Sequence, residues 1–92
     1  MKHLIIAIFA VWLVCDPATN VTSYLIVESG VTTEVQAQAD GSLREGLDSW
    51  PDGVHDIKVH AKNIWGISSP APFSFIKGVP AVPIGVGMTA EP

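Results

Sequence analysis

From His55 to Phe75 the chain alternates, breaks and alternates again. Ile57, Val59 and Ala61 fall on one face and Lys58, His60 and Lys62 on the other, the period of a half-buried antiparallel strand. Asn63, Gly66, Ser68 and Pro70 interrupt the pattern, and Pro72-Phe73-Ser74-Phe75 resumes it. The spacing predicts strands over His55–Lys62 and Pro72–Ile76, a hairpin at the edge of a sandwich. Upstream, Ser23–Glu28 is β-rich and apolar on both faces, as in a central strand. Ser29-Gly30 turns the chain, and the mostly polar Val31–Gln38 predicts an exposed or edge strand. Ala39-Asp40-Gly41-Ser42 is a second turn. Leu43–Leu47 predicts a short strand with Leu43 and Leu47 inward and Glu45 at the intervening inward position. In Ser49-Trp50-Pro51-Asp52-Gly53, Pro51 presets φ and Gly53 supplies a position that tolerates positive φ, which makes a tight corner. No helical period survives beyond the N-terminal run. Five or six strands separated by turn signals predict an all-β antiparallel sandwich.

The two ends are read differently. Lys2 and His3 precede an unbroken apolar run from Leu4 to Cys15, which fits the hydrophobic region of an export signal and is too short to span a bilayer. No Ala-x-Ala follows the run. Cys15 is the residue a lipoprotein signal would modify, but Val14 stands where such processing takes a small residue. The competing reading is a strand: Val11, Leu13 and Cys15 share one face, and Asp16-Pro17-Ala18-Thr19-Asn20 ends it with turn residues. The expected organisation is a targeting segment over residues 1–9, extending to 15 if processing follows the cysteine. A sandwich over 10–77 follows, then a Pro/Gly-rich tail or docked edge strand over 78–92, since proline is tolerated on an edge.

Size and charge narrow the field. The chain has 92 residues, 48% hydrophobic and 15% charged, with a net charge of −4. That is one small globular domain with a thin core. The five basic residues, Lys2, Arg44, Lys58, Lys62 and Lys77, are scattered. No basic stripe marks a nucleic-acid partner or a polybasic membrane site. The single cysteine rules out an intramolecular disulfide and a zinc site built from several cysteines.

Catalytic and cofactor patterns are weak throughout, and the expectation is a non-enzyme without a cofactor or metal. His55 and His60 are five apart on one strand and so face opposite ways. Asp48, Asp52 and Asp56 cluster around the corner without the spacing of an EF-hand loop. Ser68, Ser69 and Ser74 lack a Gly-x-Ser-x-Gly frame, and Gly85-x-Gly87 lacks a third glycine and a helix. Glu45 and Asp48 have no pocket to pair them. Asn20-Val21-Thr22 is a glycosylation sequon, meaningful only in a eukaryotic secretory protein. The binding candidates are aromatic: Trp65, between the last two strands with Ile64 and Ile67 beside it, and Trp50 at the corner. Exposed, Trp65 is an interface anchor; folded back, it covers the thin end of the sandwich.

Ile57-x-Val59-x-Ala61-x-Asn63-x-x-Gly66-x-Ser68-x-Pro70 resembles the penultimate strand and following loop of a fibronectin type III domain. Pro51 stands four residues before His55, as at that family's corner. Val11-x-Leu13-x-Cys15-Asp16-Pro17 and Val21-Thr22-Ser23-Tyr24 look like its second strand, its turn and the tyrosine opening its third strand. The Trp65-Gly66 pair and the Ala39–Leu43 turn are reminiscent of small bacterial and phage proteins that carry this domain after a signal peptide. Three departures stand out. Cys15 replaces the family's usual tryptophan, His55 its usual tyrosine, and no first strand is evident before residue 10. Val79–Val86 resembles a family first strand lying at the opposite end of the chain. The resemblance implies an immunoglobulin-like sandwich, possessing no first strand of its own. It also implies an exported or virion-associated binding or spacer module that meets protein surfaces, or itself, through strand edges. Two alternatives accompany it: a self-assembling envelope or phage structural accessory, and a carbohydrate-binding appendage with Trp50 and Trp65 as stacking platforms.

Overall fold

The computed structural model describes residues 10–90, so the targeting segment expected at 1–9 lies outside the described residues. Seven strands are described: β1 (Trp12–Cys15), β2 (Ser23–Glu28), β3 (Val31–Gln36), β4 (Leu43–Gly46), β5 (Gly53–Asn63), β6 (Gly66–Ile67) and β7 (Ala71–Lys77). Every pairing is antiparallel. β1 pairs with β4 in a two-stranded sheet, and the larger sheet runs β3-β2-β5 with both β6 and β7 against β5.

Local chemistry explains the boundaries. Ser29 and Gly30 both have positive φ, 49° and 80°, and join Glu28 to Val31 as the two-residue turn that matches strand twist. β3 stops two residues short of the expected Gln38. The amides of Ala37 and Gln38 turn instead to the carbonyls of Thr22 and Ser42. β5 starts at Gly53, two residues early, because Gly53 and Val54 already pair with Lys77 and Ile76. β6 is an addition. Ile64 and Trp65 form a tight turn, with the Asn63 side chain accepting from the Trp65 amide, and this leaves Gly66 and Ile67 paired to β5 before the chain departs.

The two sheets share one core: Leu13 from β1, Tyr24 and Ile26 from β2, Leu43 from β4, Leu47 just after it, and Ile57 from β5. Leu43 and Leu47 are inward as expected, and Glu45, opposite Leu13, is half-buried between them. The architecture is therefore all-β and sandwich-like. A latch ties the sheets at one end. The Tyr24 hydroxyl donates to the Gly41 carbonyl at 2.6 Å, which also accepts from the Ala18 amide. Gly41 has φ 84°, and a Cβ there would stand 1.9 Å from the Ala18 carbonyl oxygen; only glycine fits.

The core is covered unevenly. Val11 and Cys15 share the inward parity of Leu13, yet Leu13 is buried while Val11 is 58% exposed and Cys15 is exposed. Phe73, opposite Ile57 on the inner face of the large sheet, is 50% exposed. Among the described residues, no strand closes the side of the sandwich between β1 and β7. Residues 79–90 form no strand.

Candidate functional site

Among the described residues, the corner carries the one histidine with two protein partners. His55 lies on the inner face at the start of β5. Its Nε2 is 2.7 Å from the Pro51 carbonyl and its Nδ1 is 2.5 Å from Glu28 Oε2. Both partners are acceptors, so both ring nitrogens are satisfied only when both carry protons. The Pro51 carbonyl first, then Glu28, raise the His55 pKa above its ordinary value. Phe75 stacks on the ring at 5.0 Å, and Trp50 meets it edge-on at 5.2 Å. Lys77 Nζ closes the corner on the carbonyls of Asp48 and Trp50. These groups are structural fittings: every partner comes from the protein itself. Asp56 accepts from Ser74 Oγ, and among the described residues no three metal-ligating side chains come together.

The two tryptophans part company. Trp50 is half-buried against His55 and Phe75 near the Gly53 end of β5. Trp65 projects from the other end, past Asn63, 83% exposed beside Ile64 at 87% and Ile67 at 56%. It does not fold back over the sandwich. The eleven residues of β5 separate the pair, so they form no shared stacking platform.

A concavity lies elsewhere. A cleft of about 740 Å³ is lined by Val11–Cys15 on one wall and by Ala71–Phe73, Phe75 and Ile76 with Ser68 and Ser69 on the other, floored by Tyr24, Leu43, Leu47, Val59 and Ala61. None of its lining side chains is charged. The Tyr24 and Ser68 hydroxyls are engaged. Burial, then the adjoining Cys15 thiol and the Asp40 charge, pushes the Tyr24 hydroxyl pKa up to about 12, and that hydroxyl is committed to Gly41. Ser68 Oγ accepts from the Ala61 amide and donates to the Ser69 carbonyl. What stays unspent is backbone. Among the described strands β1 pairs only with β4, so its second edge presents unpaired N–H and C=O groups along the cleft.

Of the binding and lipidation candidates Trp65, Trp50, Ile64, Ile67 and Cys15, only Cys15 lines this cleft, together with Ser68 and Ser69; Trp65 and Ile67 border a second hollow beside Thr19–Val21. Phe73 and Val11 were overlooked. Their signal was available in their parity, inward on β1 and β7, where no further described strand covers them. No known protein family matches the chain, and neither does any curated protein or solved structure. Among the described residues there is no helix long and apolar enough to cross a membrane.

Proposed function

We propose that the chain is a fibronectin type III-like sandwich acting as a non-catalytic binding or spacer module of an exported or virion-associated protein. Its binding element is the cleft beside β1, which takes an extended apolar segment as an added strand. The strand order supports the family reading. In immunoglobulin-like sandwiches the second and fifth strands pair in one sheet and the third, sixth and seventh in the other. Here β1 pairs with β4, and β2, β5 and β7 lie side by side. The first strand of such a sandwich lies beside the second, which is the edge left vacant along β1.

The observation that carries the binding role is that edge. A neutral apolar cleft with an unpaired strand for a wall offers main-chain hydrogen bonds and side-chain pockets together, which are the two components of strand addition. A small polar ligand would find little to bond, since the Tyr24 and Ser68 hydroxyls are already spent. Titration with neutral synthetic peptides that alternate valine or isoleucine with glycine tests the reading by hydrogen exchange. Saturable protection of the Trp12 and Val14 amides, which face the free edge of β1, is the expected result, lost in Phe73→Asp. A folded protein whose β1 amides are unaffected by every such peptide would overturn it. The carbohydrate alternative has no support in the geometry, because Trp50 and Trp65 are held apart by the length of β5.

A further inference from the structure

We infer that the occupant of the cleft is residues 82–88 of a second copy of this chain, added as a strand along the free edge of β1. The inference rests on reading the cleft as a strand acceptor and names the segment it accepts.

The tail has the pattern the cleft requires. Val82, Ile84, Val86 and Met88 recur at period two, with Pro83, Gly85 and Gly87 between them. An extended strand therefore places four apolar side chains on one face and almost nothing on the other. All four are out in solvent, at 84%, 98%, 84% and 100% exposure. The charge pattern agrees: residues 78–90 are all uncharged, and so are the cleft side chains. Length agrees too. Seven extended residues span roughly 23 Å, enough to run past the whole Val11–Cys15 wall. In a strand, alternate residues direct their main-chain groups to opposite edges. On β1, Val11 and Leu13 turn their main-chain groups to β4, and Trp12 and Val14 turn theirs to the free edge. A parallel incoming strand can therefore bond to β1 through Val82, Ile84, Val86 and Met88 while their side chains enter the cleft; Pro83 then faces away, and its missing N–H costs nothing.

Two features turn the tail toward another copy rather than its own cleft. β7 ends at Lys77, which is held to the Asp48 and Trp50 carbonyls. To enter its own cleft the chain would have to reverse at Gly78-Val79. Val79 precedes Pro80, and a residue before proline is driven to extended conformations, which opposes a tight turn there. Val82 before Pro83 is restricted likewise, so 79–83 leaves the domain as a stiff extended segment. Each copy offers one cleft and one tail at different places. Copies can therefore exchange tails reciprocally as a dimer, close into larger rings or extend into filaments.

Cys15 stands at one end of β1 and gives a reporter. In the parallel arrangement the end of the incoming strand lies beside it. Full-length Met88→Cys and Val82→Cys proteins, with the new cysteine on the cleft-facing side like Cys15, are oxidised at several concentrations and run without reductant. The expected result is disulfide-linked oligomers, from dimer upward, from Met88→Cys. They should become more intense with concentration and be lost on adding Cys15→Ser or Ile84→Asp. Circular dichroism confirms that each variant is folded. Cross-linked monomer only, or cross-links that persist without Cys15, or no cross-link in either folded variant would each overturn the inference. The peptide titration separates the two failures. Protection of β1 by alternating peptides in a protein that never cross-links to its own tail leaves the cleft an acceptor and removes only the self-partner.

Discussion

His55 shows how one side chain organises a corner. Its two nitrogens join the Pro51 carbonyl on the corner to Glu28 at the end of β2, so the proton it gains serves both contacts. Its pKa is raised above the ordinary 6.5. A raised folded-state pKa means the native state binds the proton more tightly than the unfolded chain. The stability contributed is therefore complete below the unfolded value and is lost as pH rises through the folded one. Thermal melts of wild type and His55→Gln check this. The difference in Tm is expected to be widest between about pH 5 and 6.5 and to close on the alkaline side. A gap that is constant with pH would mean the ring works by packing on Trp50 and Phe75 alone. The bond to Glu28 was not legible in the sequence, because a partner 27 residues away depends on how β2 and β5 come to lie side by side.

At the scale of elements, periodicity was most informative where both faces of a strand have fixed surroundings. β2, β5 and β7 were legible because their neighbours in the sheet are present, so alternation reports burial directly. The same rule misled at Val11 and Cys15. Parity puts them inward with Leu13, but burial also needs something on the far side, and no local pattern reports whether a further strand arrives. β6 was invisible because two residues carry no period. The Ser29-Gly30 turn was legible from its residues, and it also shows room for improvement. Ser29 sits at φ 49°, a left-handed conformation that asparagine adopts more readily, and Asn-Gly is the favoured pair for this turn. Ser29→Asn is expected to raise stability by about 0.5 kcal/mol, seen as a higher urea midpoint with an unchanged slope. A lower midpoint would mean that the Ser29 hydroxyl contributes to the native turn.

At the scale of the whole molecule, the tail and the core are energetically separate in a single copy, and that separation is measurable. The core residues, with those packed against them, run from Leu13 to Phe75. Beyond Lys77 the exposed Val79, Val82, Ile84, Val86 and Met88 add nothing to it. Arg44, Lys58 and Lys62 lie within β4 and β5, where a protease meets paired backbone, whereas the bond after Lys77 opens onto residues that form no strand. Trypsin is therefore expected to cut first after Lys77 and leave a fragment, identified by mass, that melts at the temperature of the intact chain in dilute solution. Clipping that unfolds the domain would show that the tail belongs to the core after all. Concentration turns the same digest into a test of assembly. A tail laid along β1 of another copy has its backbone paired, and cleavage next to a paired strand requires opening it first. The rate of cutting at Lys77 should fall as protein concentration rises, while in Ile84→Asp it should stay fast throughout, since a carboxylate cannot enter an uncharged cleft without an uncompensated desolvation cost. A wild-type rate independent of concentration, matching that of Ile84→Asp, would leave the open edge of β1 without the partner its own chain supplies.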